Sequence, residues 1–116
     1  MSGLPTQERR QHHRESVRIE ADLWSQYDSM RVLITDLSEA GIAIRTKEPI
    51  PANTEIHIRF ELPLTHSTVR CDARVAWSDS IEGRAGLHFS RVGEADKRTI
   101  VHWLQSHCAK DEATAD

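Results

Sequence analysis

Four stretches of the chain alternate apolar and polar residues. Val17, Ile19, Ala21 and Leu23 make the first, and Ile56, Ile58, Phe60 and Leu62 the second. Val69, Cys71, Ala73, Val75 and Trp77 make the third and longest; Ala85, Leu87 and Phe89 make the fourth. A period of two with one apolar side predicts half-buried antiparallel strands. Arg31–Leu37 and Gly41–Thr46 predict two further short strands that meet at the Asp36–Gly41 turn. Pro49 and Pro51 mark one loop, and Pro63 to Ser67 another. Beyond Gly93 the period changes: Ile100, Leu104 and Cys108 recur at helical spacing, with Val101 and Trp103 beside them, which predicts one amphipathic helix. The fold class is therefore all-β with one C-terminal helix. No helix-length segment separates the strands, so six short antiparallel strands closing into a small barrel are favoured over a βαβ unit, because closure removes exposed edges.

The organisation that follows is a single domain of 116 residues. Residues 1–15 are polar and basic without apolar periodicity and read as a flexible N-terminal arm. Residues 16–92 form the barrel, 93–110 the helix, and the acidic stretch 111–116 a disordered tail. With two Phe, one Tyr and three Trp, the core must be mostly aliphatic. The formal net charge of −3 argues against non-specific binding of DNA or RNA, which needs a broad basic surface. The positive charge is local instead: Arg9, Arg10, Arg14 and Arg18 crowd one stretch, and twelve of the fifteen basic residues are Arg. No apolar run has signal-peptide character or nears the roughly 20 residues of a membrane span, so a cytoplasmic protein with no membrane partner is expected. Cys71 and Cys108 read as reduced core or near-core thiols.

Two short motifs carry chemistry. Arg9-Arg10-x-x-x-Arg14 precedes the first strand, and Asp36-x-Ser38-x-x-Gly41 occupies the turn between the second and third. Guanidiniums grip phosphates bidentately and stack on or hydrogen-bond purines. A carboxylate, a hydroxyl and a glycine on one turn suit the edge of a base. Either motif alone is weak, since Asp, Ser and Gly are ordinary turn residues; their order and placement around the predicted strands give the signal.

Glu8–Arg14, Val32–Ile42 and Ala85-Gly86-Leu87-His88-Phe89 together resemble the PilZ domain family over nearly the whole chain. The resemblance implies a six-stranded antiparallel PilZ-type β-barrel that binds bis-(3′,5′)-cyclic di-GMP, a bacterial second messenger, with both binding motifs intact. It implies Arg9, Arg10, Arg14, Asp36, Ser38 and Gly41 as ligand-binding residues. Arg10 and Arg14 would clamp phosphate and read guanine O6 and N7. Asp36, an acceptor only, suits the N1–H and N2–H edge. Ser38 can donate or accept, and Gly41 lets the backbone come close and adopt an unusual φ. Arg9 is a spare guanidinium for an intercalated pair of ligands. Ligand binding is expected to fold the arm over the barrel and to present a surface, in trans, to a downstream partner protein that nothing in the sequence names.

Trp77 either packs in the core or stacks on a guanine. Trp24 and Trp103 read as packing residues, the latter between helix and barrel. Arg45 and Arg74 line the ligand edge or sit on a solvated face. The seven His are scattered, and His102 and His107 are spaced for different helical faces, so no metal site and no cofactor are expected. No phosphate-binding Gly-rich loop and no nucleophile–base pair is visible, so no catalytic residue is assigned and an enzyme is not expected. The alternative is a non-catalytic protein-interaction barrel of the same type that does not bind the nucleotide.

Overall fold

Six antiparallel strands close on themselves in the order β1-β2-β3-β6-β5-β4, with β4 returning to pair with β1. They are β1 (Arg14–Trp24), β2 (Ser29–Ser38), β3 (Gly41–Arg45), β4 (Glu55–Leu62), β5 (Ser67–Asp79) and β6 (Arg84–Val92); helix α1 (Glu94–Ala115) follows. The computed structural model describes residues 14–26 and 28–115, with 107–115 described by their backbone alone.

The alternation seen in the sequence becomes the inner wall. Ile19, Ala21 and Leu23 of β1, Ile56, Ile58, Phe60 and Leu62 of β4, and Val69, Cys71, Ala73 and Val75 of β5 all face the interior. Phe60 is the largest fully buried side chain, and nearly everything else in the barrel is aliphatic, as the scarcity of aromatics requires. The 46–54 loop, which carries the chain from β3 to β4, closes one end. There Ile50 is buried, and the loop is tied to β5 by Asn53 N donating to Val75 O (2.7 Å) and Val75 N to Thr54 O (3.0 Å). Helix α1 covers the opposite end with Ile100, Trp103 and Leu104. Trp103 Nε1 donates to Pro63 O at 3.2 Å, so the indole does pack between helix and barrel.

Two expected boundaries move. Arg14 and Glu15, placed in the arm, belong to β1, because they pair in register with Ser38 and Leu37. The helix does not end near residue 110 but runs to Ala115. After Cys108 the sequence holds no Gly or Pro to stop it, and Ala109, Lys110, Glu112, Ala113 and Ala115 are good helix formers. No helix among the described residues is long and apolar enough to cross a membrane.

Cys71 is a buried free thiol, pushed up from 9.0 to about 12 by burial first and by the nearby Asp96 and Asp72 carboxylates second. It is therefore a protonated packing residue at neutral pH. The raised value favours the neutral thiol in the folded chain, so its contribution to stability is complete below about pH 9 and is lost as pH rises toward 12. Denaturant titrations of wild type and Cys71→Ala at pH 7 to 11 should show wild-type stability falling more steeply above pH 9. Parallel pH profiles would remove the thiol from the account.

Candidate functional site

Strand phase places the motif residues. Between Ile34 and Asp36, β2 carries one residue, Thr35, that has no counterpart in β3: Ile34 pairs with Ile44 and Asp36 with Ala43. That bulge inverts the alternation, as bulges do. Val32 and Ile34 face inward, then Leu37 does, and Asp36 and Ser38 turn to the outer side, where Ser38 stays covered. The Thr35 hydroxyl donates to Ala43 O at 3.3 Å.

A second bulge acts on β5. Val75 pairs with Leu87 but Trp77 pairs with Gly86, leaving Ala76 unmatched. The run Val69 to Val75 is buried, and its fifth predicted member, Trp77, emerges on the outside with 47% of its surface exposed. The core reading of Trp77 is thus corrected. Its indole lies over Gly86, and a Cβ at that position would overlap Nε1 of the ring. Gly86 is consequently buried although it sits on the outer face.

The registers align these residues in one transverse row across four strands: Asp36, Ala43, Gly86 and Trp77. Ala43 and Gly86 are the low floor of a shelf; Asp36 and Trp77 stand at its two ends. Arg14, opposite Ser38, and Gly41, opposite His88, border it on the side nearest α1. Together they surround a shallow pocket of about 180 Å³, lined by Arg14, Asp36, Ser38, Gly41, Trp77 and His88 among others. The structure thus brings together every predicted binding residue that it describes. Arg9 and Arg10 lie outside the described residues.

The individual roles differ from expectation in two places. Ser38 is 9% exposed, and its hydroxyl holds the turn: it accepts from Ala40 N and Gly41 N and donates to Gly41 O, all at 3.2 Å. Its single proton is thereby used within the protein. Gly41 does not take the unusual φ expected of it; the left-handed glycine among the described residues is Gly83, at φ 68°. Glycine is required at 41 because a Cβ would overlap the Leu87 carbonyl oxygen of the neighbouring strand.

Arg14 and Asp36 have no hydrogen-bond or ion-pair partner among the described residues, so both present unspent charge to the shelf. Arg74 does not: it pairs with Glu55 at 3.0 Å and belongs to the solvated face. No group of three or more His, Cys, Asp or Glu that could hold a metal occurs among the described residues. A cleft of about 1080 Å³ lies elsewhere, between the β4–β5 loop and α1, and none of the predicted residues that the structure describes lines it. The sequence reading missed Ala43 and assigned no role to Gly86 or His88. The signal at Ala43 is an outward position between Ile42 and Ile44 that holds neither a polar nor a large side chain.

Comparison with known proteins agrees with this fold. A family model described as the PilZ domain matches residues 8–106. No curated protein matches the chain. Among solved structures, the chain is similar to the Bacillus subtilis inhibitor of motility MotI/DgrA, with a TM-score of 0.73 and 16% identity over 87% of this chain. It spans about half, 52%, of that protein's length. It is also similar to the PilZ domain of YcgR from Escherichia coli, solved with c-di-GMP (TM-score 0.68, 17% identity, 93% of this chain and 98% of that one). The PilZ domain of CeSA from a cellulose-synthesizing bacterium is a third (TM-score 0.66, 17% identity, 81% and 96%). At these identities the likenesses establish the fold.

The two glycines should respond differently to a methyl group. Gly41→Ala meets backbone and should cost about 2–3 kcal/mol. Gly86→Ala meets the movable Trp77 ring and should cost about 1 kcal/mol or less while displacing the indole. Denaturant unfolding, with the Trp77 indole N–H followed by NMR, separates the two. Equal stability losses, or an unmoved indole signal in Gly86→Ala, would contradict the shelf geometry.

Proposed function

The chain belongs to the PilZ domain family, whose domains are non-catalytic binding modules, and on that premise we propose that it is a receptor for cyclic di-GMP. The observation that carries this reading is the Asp36–Ala43–Gly86–Trp77 row with Arg14 beside it. A guanine laid on the Ala43–Gly86 floor meets a carboxylate at one end and an aromatic face at the other. Asp36 accepts from N1–H and N2–H. The exposed indole of Trp77 stacks on a base, a contact worth about 1–3 kcal/mol. Arg14 clamps a phosphate or reads O6 and N7, and Arg9 and Arg10 add guanidiniums from the preceding segment. Ser38 and Gly41 act indirectly: one fixes the turn that aims Asp36, and the other admits the Leu87 carbonyl. Solved PilZ proteins bound to c-di-GMP, YcgR and the Borreliella burgdorferi protein PlzA, share the fold and support the ligand class.

The shelf covers one side of a ligand only. In our reading the N-terminal segment folds over the bound nucleotide, and the rearranged surface is what a partner protein recognises in trans. Arg9 favours an intercalated pair of ligand molecules, since a second nucleotide brings further phosphates and stacking faces.

Isothermal titration with cyclic di-GMP tests the ligand. Wild type should bind and release the nucleotide unchanged. Arg14→Ala and Asp36→Ala should each weaken binding about 10- to 100-fold, the loss of one charged hydrogen bond, and Arg9→Ala should lower the number of ligands from two to one. Absence of heat with wild type would leave the non-binding interaction barrel as the reading.

Amide exchange tests the arm. Residues 5–15 should exchange more slowly when the ligand is bound; equal exchange with and without it would remove the arm from the mechanism.

A further inference from the structure

One row further along the barrel from the shelf, on the side away from Arg14, two arginines face each other. Arg45 of β3 and Arg84 of β6 are register partners. They stand two residues beyond Ala43 and Gly86, a step of about 7 Å along the strands. Opposed side chains on one face of an antiparallel pair have Cβ atoms about 5 Å apart, and like charges so placed repel. A barrel surface normally balances such a pair with acids, and this one does so elsewhere: Arg31 bridges Glu20 and Asp22, and Arg59 reaches Asp22.

Here the compensation is missing among the described residues. Asp79 is the register partner of Arg84 on the other flank. Its Oδ1, however, accepts from Ile81 N (3.0 Å) and Glu82 N (3.2 Å), which holds the β5–β6 turn, and no ion pair joins it to Arg84. On the β2 side the partner of Arg45 is Leu33. Beyond Leu33 in the same row lies Glu20, already bound to Arg31 at 3.0 Å. Arg84 also carries a buried Nε without a hydrogen-bond partner, an uncommon state for a buried donor. That donor is closed to solvent and plays no part in ligand binding; what an incoming anion relieves is the repulsion between the two adjacent guanidiniums, and water supplies no charge to do so.

We propose that Arg45 and Arg84 form a phosphate-binding edge that takes one phosphate of the nucleotide on the Asp36–Trp77 shelf. This rests on the cyclic di-GMP reading and extends it. Arg14 borders the shelf on one side and the arginine pair on the other, so a ligand with two phosphates and two bases meets positive charge at both margins and a recognition surface between them. Forked guanidiniums suit a phosphate better than ammonium groups would.

Titration of the full chain with cyclic di-GMP at several salt concentrations tests the edge, using wild type, Arg45→Ala, Arg84→Lys and Arg70→Ala. Arg70 lies on β5 opposite Arg59, away from the shelf, and serves as the control. Arg45→Ala should weaken binding about 10-fold and reduce the salt dependence, while Arg70→Ala changes neither. Arg84→Lys should weaken binding although it keeps the charge. Because Arg84 is partly buried, thermal unfolding is run alongside, and the exposed Arg45 decides the matter if Arg84→Lys is unstable. If wild type binds and Arg45→Ala binds equally well with the same salt slope, the edge is refuted and the receptor reading stands. If wild type does not bind, both fall.

Discussion

One extra residue in β2 decides which way Asp36 faces. In a closed barrel every strand position is either inside, where a charge has no place, or outside, where it meets solvent. Without the Thr35 bulge, the inward run Val32, Ile34 would continue through 36 and 38 and bury a carboxylate. With it, Leu37 takes the interior, and Asp36 and a covered Ser38 take the outer side. The bulge at Ala76 does the same for Trp77. Both displaced residues end in one row, with two small residues, Ala43 and Gly86, between them. Core packing and site assembly are therefore one requirement, since the same register shift protects the interior and builds the shelf.

This explains which features could be read from the sequence. Uninterrupted alternation, as in Ile56 to Leu62, depends only on period, so strands and core were legible from residue types. Closure was legible from the short connections. Phase was not: Trp77 continues the spacing of Val69 to Val75 without a break, and only its pairing with Gly86 reveals the insertion. The step from Ile34 to Leu37, three residues instead of two, reflects the first bulge, but the sequence reading did not use it. Of the two reasons given for Gly41, the unusual φ is absent, and the close approach is to a carbonyl of β6, a neighbour that leaves no trace in local sequence. The β1 start was misplaced for a similar cause, since Arg14 is strand-like only by virtue of Ser38 opposite it. The helix end was misjudged from charge, where helix propensity governs the backbone.

The electrostatics follow the same geometry. The chain is acidic in total, yet its outer wall is laced with arginines whose meaning depends on their neighbours. Arg31, Arg59 and Arg74 have carboxylates across the strands and serve the surface. Such exposed pairs contribute about 0–1 kcal/mol each, so they arrange the surface more than they stabilise it. Arg14 has no such partner among the described residues, and neither has Asp36 at the other corner of the same pocket. Net charge hides this contrast, and pairing across the sheet exposes it.

A shelf on the convex side of a barrel also limits what the site can do. Catalysis draws on enclosed, water-excluded sites with a nucleophile held against a base. Here Ser38 donates its proton to a backbone carbonyl, and the thiol of Cys71 is on the far side of the wall, protonated and buried. Among the described residues, a pocket of about 180 Å³ offers a large ligand one face. Tight binding of anything as large as a cyclic dinucleotide then demands a second layer. Chain preceding β1 can supply it, and so can a second nucleotide stacked on the first. Under the proposed receptor reading the ligand would become part of the protein's outer surface, so a change of surface rather than chemistry is the output that this reading predicts.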